Sequence, residues 1–168
     1  MNNKKCCAII SSRPDSFPWG LDEDDERCEE LKHQLLGRIT TAINNGVKNF
    51  AVAVDSGSGL YAAEVINAWR RSDDSINLTC IVPWEEQSTK WTPQLRARYF
   101  TAQEKCSDVQ FVSNGYTRDC EITALLDAVD MADTVIVVSS GNDMLIPVAI
   151  RYMVRTNKKY VVIQPEEY

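Results

Sequence analysis

Apolar runs of strand length alternate with segments of helical period along almost the whole chain. The first run, Cys6 to Ser11, is short and mostly apolar, as a strand buried on both faces requires. It ends at Ser11-Ser12-Arg13-Pro14, where proline stops pairing. Beyond the acidic loop Leu21 to Glu26, the residues Leu31, Leu35, Ile39, Ala42 and Ile43 recur at helical spacing, and Gly46 follows as a C-terminal cap. Val47 to Val54 reads as a second strand, and the small-residue loop Asp55-Ser56-Gly57-Ser58-Gly59 leads into a helix from Leu60 to Arg71. Ile76 to Val82 is a third strand. Pro83 opens a loop, and Thr92-Pro93 supplies the N-cap and first residue of a helix that runs to Cys106. Val109 to Val112 is a fourth strand, Asp119 caps a helix through Met131, and Thr134 to Val138 is the fifth and most apolar strand. After Ser139-Ser140-Gly141-Asn142-Asp143, a last helix from Met144 to Thr156 precedes a sixth strand, Tyr160 to Ile163.

Strands alternating with helices specify an α/β fold: a doubly wound, mostly parallel sheet of about six strands with helices on both faces, Rossmann-like, in a single domain over residues 1–168. In such sheets ligands sit beyond the carboxyl ends of the strands near a topological switch point. That rule nominates Ser11 to Arg13, Asp55 to Gly59, Pro83 to Glu86, Asn114 to Tyr116 and Ser139 to Asp143.

Charge narrows the partners. A formal net charge of -6 and a pI near 4.8 argue against a broad grip on phosphate backbones, so nucleic acid is disfavoured. Met1 to Lys5 are polar and run into an apolar stretch too brief for a signal-peptide core or a membrane span, so a cytoplasmic location without a membrane partner is expected. The six cysteines are irregularly spaced, with no CxxC and only one histidine, which favours reduced, mostly buried thiols and no metal site. His33 lies opposite the apolar stripe of the first helix, so no Ser/His/Asp or Cys/His set can be drawn and the catalytic residues are unassigned.

Several loops carry candidate chemistry, each beside a plainer reading. Asp55, Ser56, Gly57, Ser58 and Gly59 would let a phosphate approach the backbone at a helix N-terminus, or form an ordinary tight turn. Asp55 would repel a phosphate but accept a ribose hydroxyl. Ser139, Ser140, Gly141, Asn142 and Asp143 offer hydroxyls and a carboxylate, or simply a loop with Asn142 or Asp143 as helix cap. Arg13, beside Ser11 and Ser12, would grip a phosphate or make a surface ion pair. Trp84 and Trp91 would stack a base or cover the core, and Trp19 has the same two roles open. Glu64 faces either the crevice, as a general acid or base, or a neighbouring helix.

The run Arg13-Pro14 with Phe17-Pro18-Trp19-Gly20, the segment Gly57 to Glu64 reading GSGLYAAE, Ile81-Val82-Pro83 followed by Glu86-Gln87 and Trp91, and Arg98-Tyr99 resemble the YpsA-like branch of the SLOG superfamily over about residues 6–164. These are Rossmann-like proteins related to the DNA-processing protein DprA and the cytokinin-activating LOG enzymes. The resemblance implies a domain that binds a nucleotide-like or phosphorylated small molecule. Ser11 and Ser12 stand where the branch carries Gly-His, Val52 and Ala53 where it carries Ser-Gly, Gly59 where it has an acidic residue, Ala124 and Leu125 where it has Arg-Asn, and Met144 to Ile146 where it has Gly-Gly-Thr. The bulkier Val52, Ala53 and Met144 are expected to close space for a phosphate; either the ligand has changed, with Ser11, Ser12, Ser56, Ser58, Ser139 and Ser140 supplying hydroxyl contacts, or the pocket has decayed and the domain serves by contacting another protein.

Three function classes follow: a binding module for a nucleotide-like ligand, an enzyme on a nucleotide or nucleoside with Glu64, Asp55 or Asp143 moving protons, and a degenerate interaction domain that works through a surface patch, as a homodimer among other forms. The cofactor is unassigned.

Overall fold

The computed structural model describes residues 5–165, so the polar start at Met1 to Lys4 lies outside the described residues. Six strands and five α-helices alternate: β1 (Cys6–Ser11), α1 (Glu26–Asn44), β2 (Asn49–Ala53), α2 (Ser58–Arg70), β3 (Asn77–Trp84), α3 (Pro93–Lys105), β4 (Asp108–Ser113), α4 (Cys120–Asp130), β5 (Thr134–Val138), α5 (Leu145–Arg155) and β6 (Lys159–Ile163). A 3-10 turn, Pro14–Ser16, follows β1. All neighbouring strands pair in parallel, in the order β4-β3-β2-β1-β5-β6.

Alternate residues of each buried strand feed opposite layers. Ile9, Phe50, Val52 and Leu78 pack with α1, α2 and α3, whereas Ile10, Ala51, Ile81 and Val137 pack with α4 and α5. The stripe Leu31, Leu35 and Ile39 seals α1 against the sheet; each such side chain contributes roughly 1.5–3 kcal/mol when taken from water. The chain steps from β1 outward to β4, and α4 then returns across β3, β2 and β1 to place β5 on the other side of β1. The topological switch point therefore lies between β1 and β5.

Two boundaries differ from the sequence pattern for identifiable reasons. Val47 belongs to the closure of α1, because its N–H donates to the Ala42 carbonyl at 3.0 Å while Gly46 stands at φ +91, so β2 begins at Asn49. Pro83 lies inside β3 rather than opening a loop. Pairing with β2 ends at Ile81, so a residue without an N–H costs no bond on that side, while Trp84 still pairs with Ser113 of β4.

Among the described residues no helix is long and apolar enough to cross a membrane. The six cysteines are free thiols, with Cys7, Cys28, Cys80 and Cys120 buried and Cys6 and Cys106 half-buried.

Candidate functional site

A cavity of about 390 Å³ opens at the carboxyl ends of β1, β2 and β3, within the range of small-molecule sites. Ser11, Arg13, Pro14 and Asp15 come from the end of β1 and the turn after it, and Gly20 and Leu21 from the loop beyond. Ala53 to Ser56 come from the end of β2; Pro83, Trp84, Gln87 and Trp91 form the far wall. Glu121, Ala124 and Leu125 of α4, with Leu145 of α5, cover it from the other face. The wall is mostly apolar, and its charged members are Arg13, Asp15, Asp55 and Glu121.

The glycine loop is built for packing. Asp55 Oδ1 accepts the N–H of Gly57 at 2.8 Å and that of Gly59 at 3.0 Å, so the start of α2 is held by the protein's own carboxylate. A Cβ on Gly59 would lie 2.3 Å from the Ala53 carbonyl oxygen, and one on Gly57 would lie 3.0 Å from the Pro14 ring. Both glycines answer to neighbouring protein atoms. Burial pushes the Asp55 carboxyl up to about 6 against the pull of the Gly57, Gly59 and Leu60 N–H groups, and the Glu121 carboxylate adds to the rise.

Arg13 is likewise engaged. Its Nε and Nη2 donate to the two oxygens of Glu121 at 2.7 and 2.9 Å, a bidentate pair at the cavity rim. Gln87, buried in the far wall, donates through Nε2 to the Val54 carbonyl and to Tyr99 Oη, each at 3.0 Å. Trp84 lies edge-to-face on Tyr116 at 5.2 Å, and Trp91 edge-to-face on Tyr99 at 4.9 Å. Both indoles serve the cavity and a neighbouring ring at once, whereas Trp19, stacked on Phe17 at 5.0 Å, belongs to the core.

The serine-rich loops close on each other. Ser12 Oγ donates to Asp143 Oδ1 at 3.0 Å and accepts the Ser140 N–H at 2.9 Å. Ser16 Oγ lies 2.8 Å from Ser140 Oγ, and the N–H groups of Gly141 and Asn142 go to Ser139 Oγ and Ser140 Oγ. Asp143 turns to Ser12 and does not cap α5, whose N-cap is Met144. Asp119 occupies the N-cap position of α4, but its side chain accepts no capping bond.

Of the sequence candidates, Ser11, Arg13, Asp55, Ser56 and Trp84 line the cavity together. Ser12, Gly57, Ser58, Gly59 and Ser139 to Asp143 lie outside its lining. Glu64 faces a helix neighbour: Arg98 Nη2 donates to it at 2.6 Å and also serves Glu23, which Lys32 binds at 2.6 Å. Burial alone would raise the Glu23 carboxyl, but Arg98 and Lys32 hold it below its ordinary value. The expected crowding by Met144 does not arise, because its side chain is 86% exposed, and Val52 is buried in the α1, α2 and α3 layer; Ala53 alone of the three reaches the cavity. Glu121 and Leu21 had no local motif to mark them, whereas Gln87 stood in the Glu86-Gln87 pair that carries the family resemblance. Glu121 arrives only because α4 crosses back over the switch point.

Among the described residues no cluster of three or more His, Cys, Asp or Glu side chains could hold a metal ion.

The YpsA family model, described as the YspA SLOG family, matches residues 19–160. The chain belongs to this family. It is 25% identical over 96 residues to a UPF0398 protein of Bacillus pumilus (strain SAFR-032), a match covering 56% of this chain and 50% of that protein. This SLOG chain therefore aligns with about half the length of its curated relative. The family range runs from Trp19 to Tyr160 and so includes the far wall, the glycine loop and α4.

Proposed function

We propose that this SLOG domain is a cytoplasmic binding module that holds a nucleotide-like small molecule in the crevice at the carboxyl ends of β1, β2 and β3. The observation that carries the reading is the 390 Å³ cavity itself, which joins two indole rings to a small set of polar groups beside the switch point. A planar base would lie against Trp84 and Trp91, and a ribose would present hydroxyls to Asp55 and Ser56. A thermal-shift screen of the full chain with nucleosides, nucleotides, nucleotide sugars and ADP-ribose tests it. A ligand at about a hundred times its Kd should stabilise the fold by roughly 2.7 kcal/mol. The shift should vanish in Trp84→Ala, which leaves the glycine packing intact. A panel with no shift would count for the degenerate interaction domain.

An enzymatic reading is favoured by one group. The Asp55 carboxyl, pushed up to about 6 beside Glu121, is poised for proton transfer near neutral pH. Turnover of any panel member that is lost in Asp55→Asn while binding persists would establish it. Glu64 and Asp143, outside the cavity lining, have no part in this reading.

A further inference from the structure

The cavity's one cation, and the Gly57 and Gly59 N–H groups next to it, are already engaged by the protein. The Arg13 fork is closed on Glu121, and the N–H groups of Gly57 and Gly59 are closed on Asp55. Gln87 directs its amide donor inward to Val54 and Tyr99, which leaves its carbonyl oxygen as the end available to a ligand. The Ser11 hydroxyl donates to the Ser12 carbonyl at 2.9 Å. Beyond the Ser56 hydroxyl and the two indole N–H groups, the charge that the lining offers is chiefly that of acceptors: the carboxylates of Asp15, Asp55 and Glu121 against the single cation Arg13. The indole faces of Trp84 and Trp91 add negative quadrupole to the same space.

We infer that the cavity takes a heteroaromatic amine, as a free base or nucleoside bearing an exocyclic amino group and no phosphate. The inference rests on the binding reading above and narrows it. An exocyclic amine supplies the donors that the carboxylates and the Gln87 carbonyl lack, and a ring bearing partial positive charge suits the indole faces. A phosphate would have to break the Arg13 pair with Glu121 and then sit among the carboxylates, with the Gly57 and Gly59 N–H groups already held by Asp55.

Calorimetric titration of the full chain with adenosine, inosine and AMP, matched except at one group each, tests this. Adenosine should bind, inosine should be weaker by at least about tenfold because a carbonyl replaces the amino donor, and AMP should be weaker than adenosine by at least about tenfold at low salt. Glu121→Gln, which frees the Arg13 fork, should bring AMP back toward adenosine. AMP binding as tightly as adenosine or more tightly to the unaltered chain overturns the inference and leaves the nucleotide reading standing, and so does inosine binding as tightly as adenosine. Silence of all three ligands overturns the inference, and the binding reading falls with it only if the whole panel of nucleosides, nucleotides, nucleotide sugars and ADP-ribose is silent too.

Discussion

Gly59 approaches Ala53 so closely that a methyl group on it would stand 2.3 Å from the Ala53 carbonyl oxygen. The contact is helix backbone on strand backbone, so no side chain can swing away to relieve it. Gly59→Ala should destabilise the fold by about 3 kcal/mol, at the upper end of overpacking costs. A lowered urea midpoint with unchanged slope checks this; a midpoint within error of the parent would mean that α2 is free to lift from the sheet.

The raised Asp55 carboxyl makes stability depend on pH in a particular direction. Its proton is held more tightly in the folded chain, near 6, than in the unfolded chain, near the ordinary aspartate value of 3.8. The contribution is therefore present in full below about 3.8 and is lost as pH rises through about 6. Compared at pH 4 and pH 7, the parent should lose on the order of 1–2 kcal/mol relative to Asp55→Asn, an amount discounted for the partial exposure of the side chain. Paired denaturant titrations at the two pH values read the difference.

Ser12 is fully buried and joins two loops that lie 131 residues apart in sequence. Ser12→Ala would strip Asp143 Oδ1 of its donor beside an Oδ2 that already lacks one, and would leave the Ser140 N–H without an acceptor. A loss of about 2–3 kcal/mol is expected. Adding Asp143→Ala should cost less than the sum of the two single changes, which a double-mutant cycle measures.

Arg98 ties the loop between β1 and α1 to α2 and α3 through Glu23 and Glu64. The groups are about a third exposed, so Arg98→Ala should cost only about 1 kcal/mol overall. The larger effect is local. Amide exchange should quicken through residues 20–25, including Gly20 and Leu21 at the cavity wall, while the strands keep their protection.

Much of the architecture can be read from the sequence because parallel strands buried on both faces are continuous apolar runs, and here proline or small residues close most of them. The errors at Val47 and Pro83 arise where a hydrogen bond made elsewhere decides membership: Val47 spends its N–H on α1, and Pro83 needs none once β2 has ended. The mouth of the crevice was legible from the switch-point rule, and Ser11, Arg13, Asp55, Ser56 and Trp84 all border the cavity. The direction of each serine was not. Ser12, Ser139 and Ser140 resemble ligand hydroxyls in composition, but their partners come from each other's loops, a pairing that only the closed sheet creates. Glu64 was ambiguous for a similar reason, since its partner Arg98 sits 34 residues away on α3.

The carboxylate of Asp55 on the first N–H groups of α2 has a kinetic as well as an energetic side. It is tethered only two residues from Gly57, so its effective concentration at the helix end far exceeds that of any free anion in solution. A diffusing phosphate competes with a rival that never leaves, and each return of the carboxylate is an intramolecular step rather than a second-order encounter. For anions the start of α2 is thus closed by mass action, whatever the cavity beside it admits.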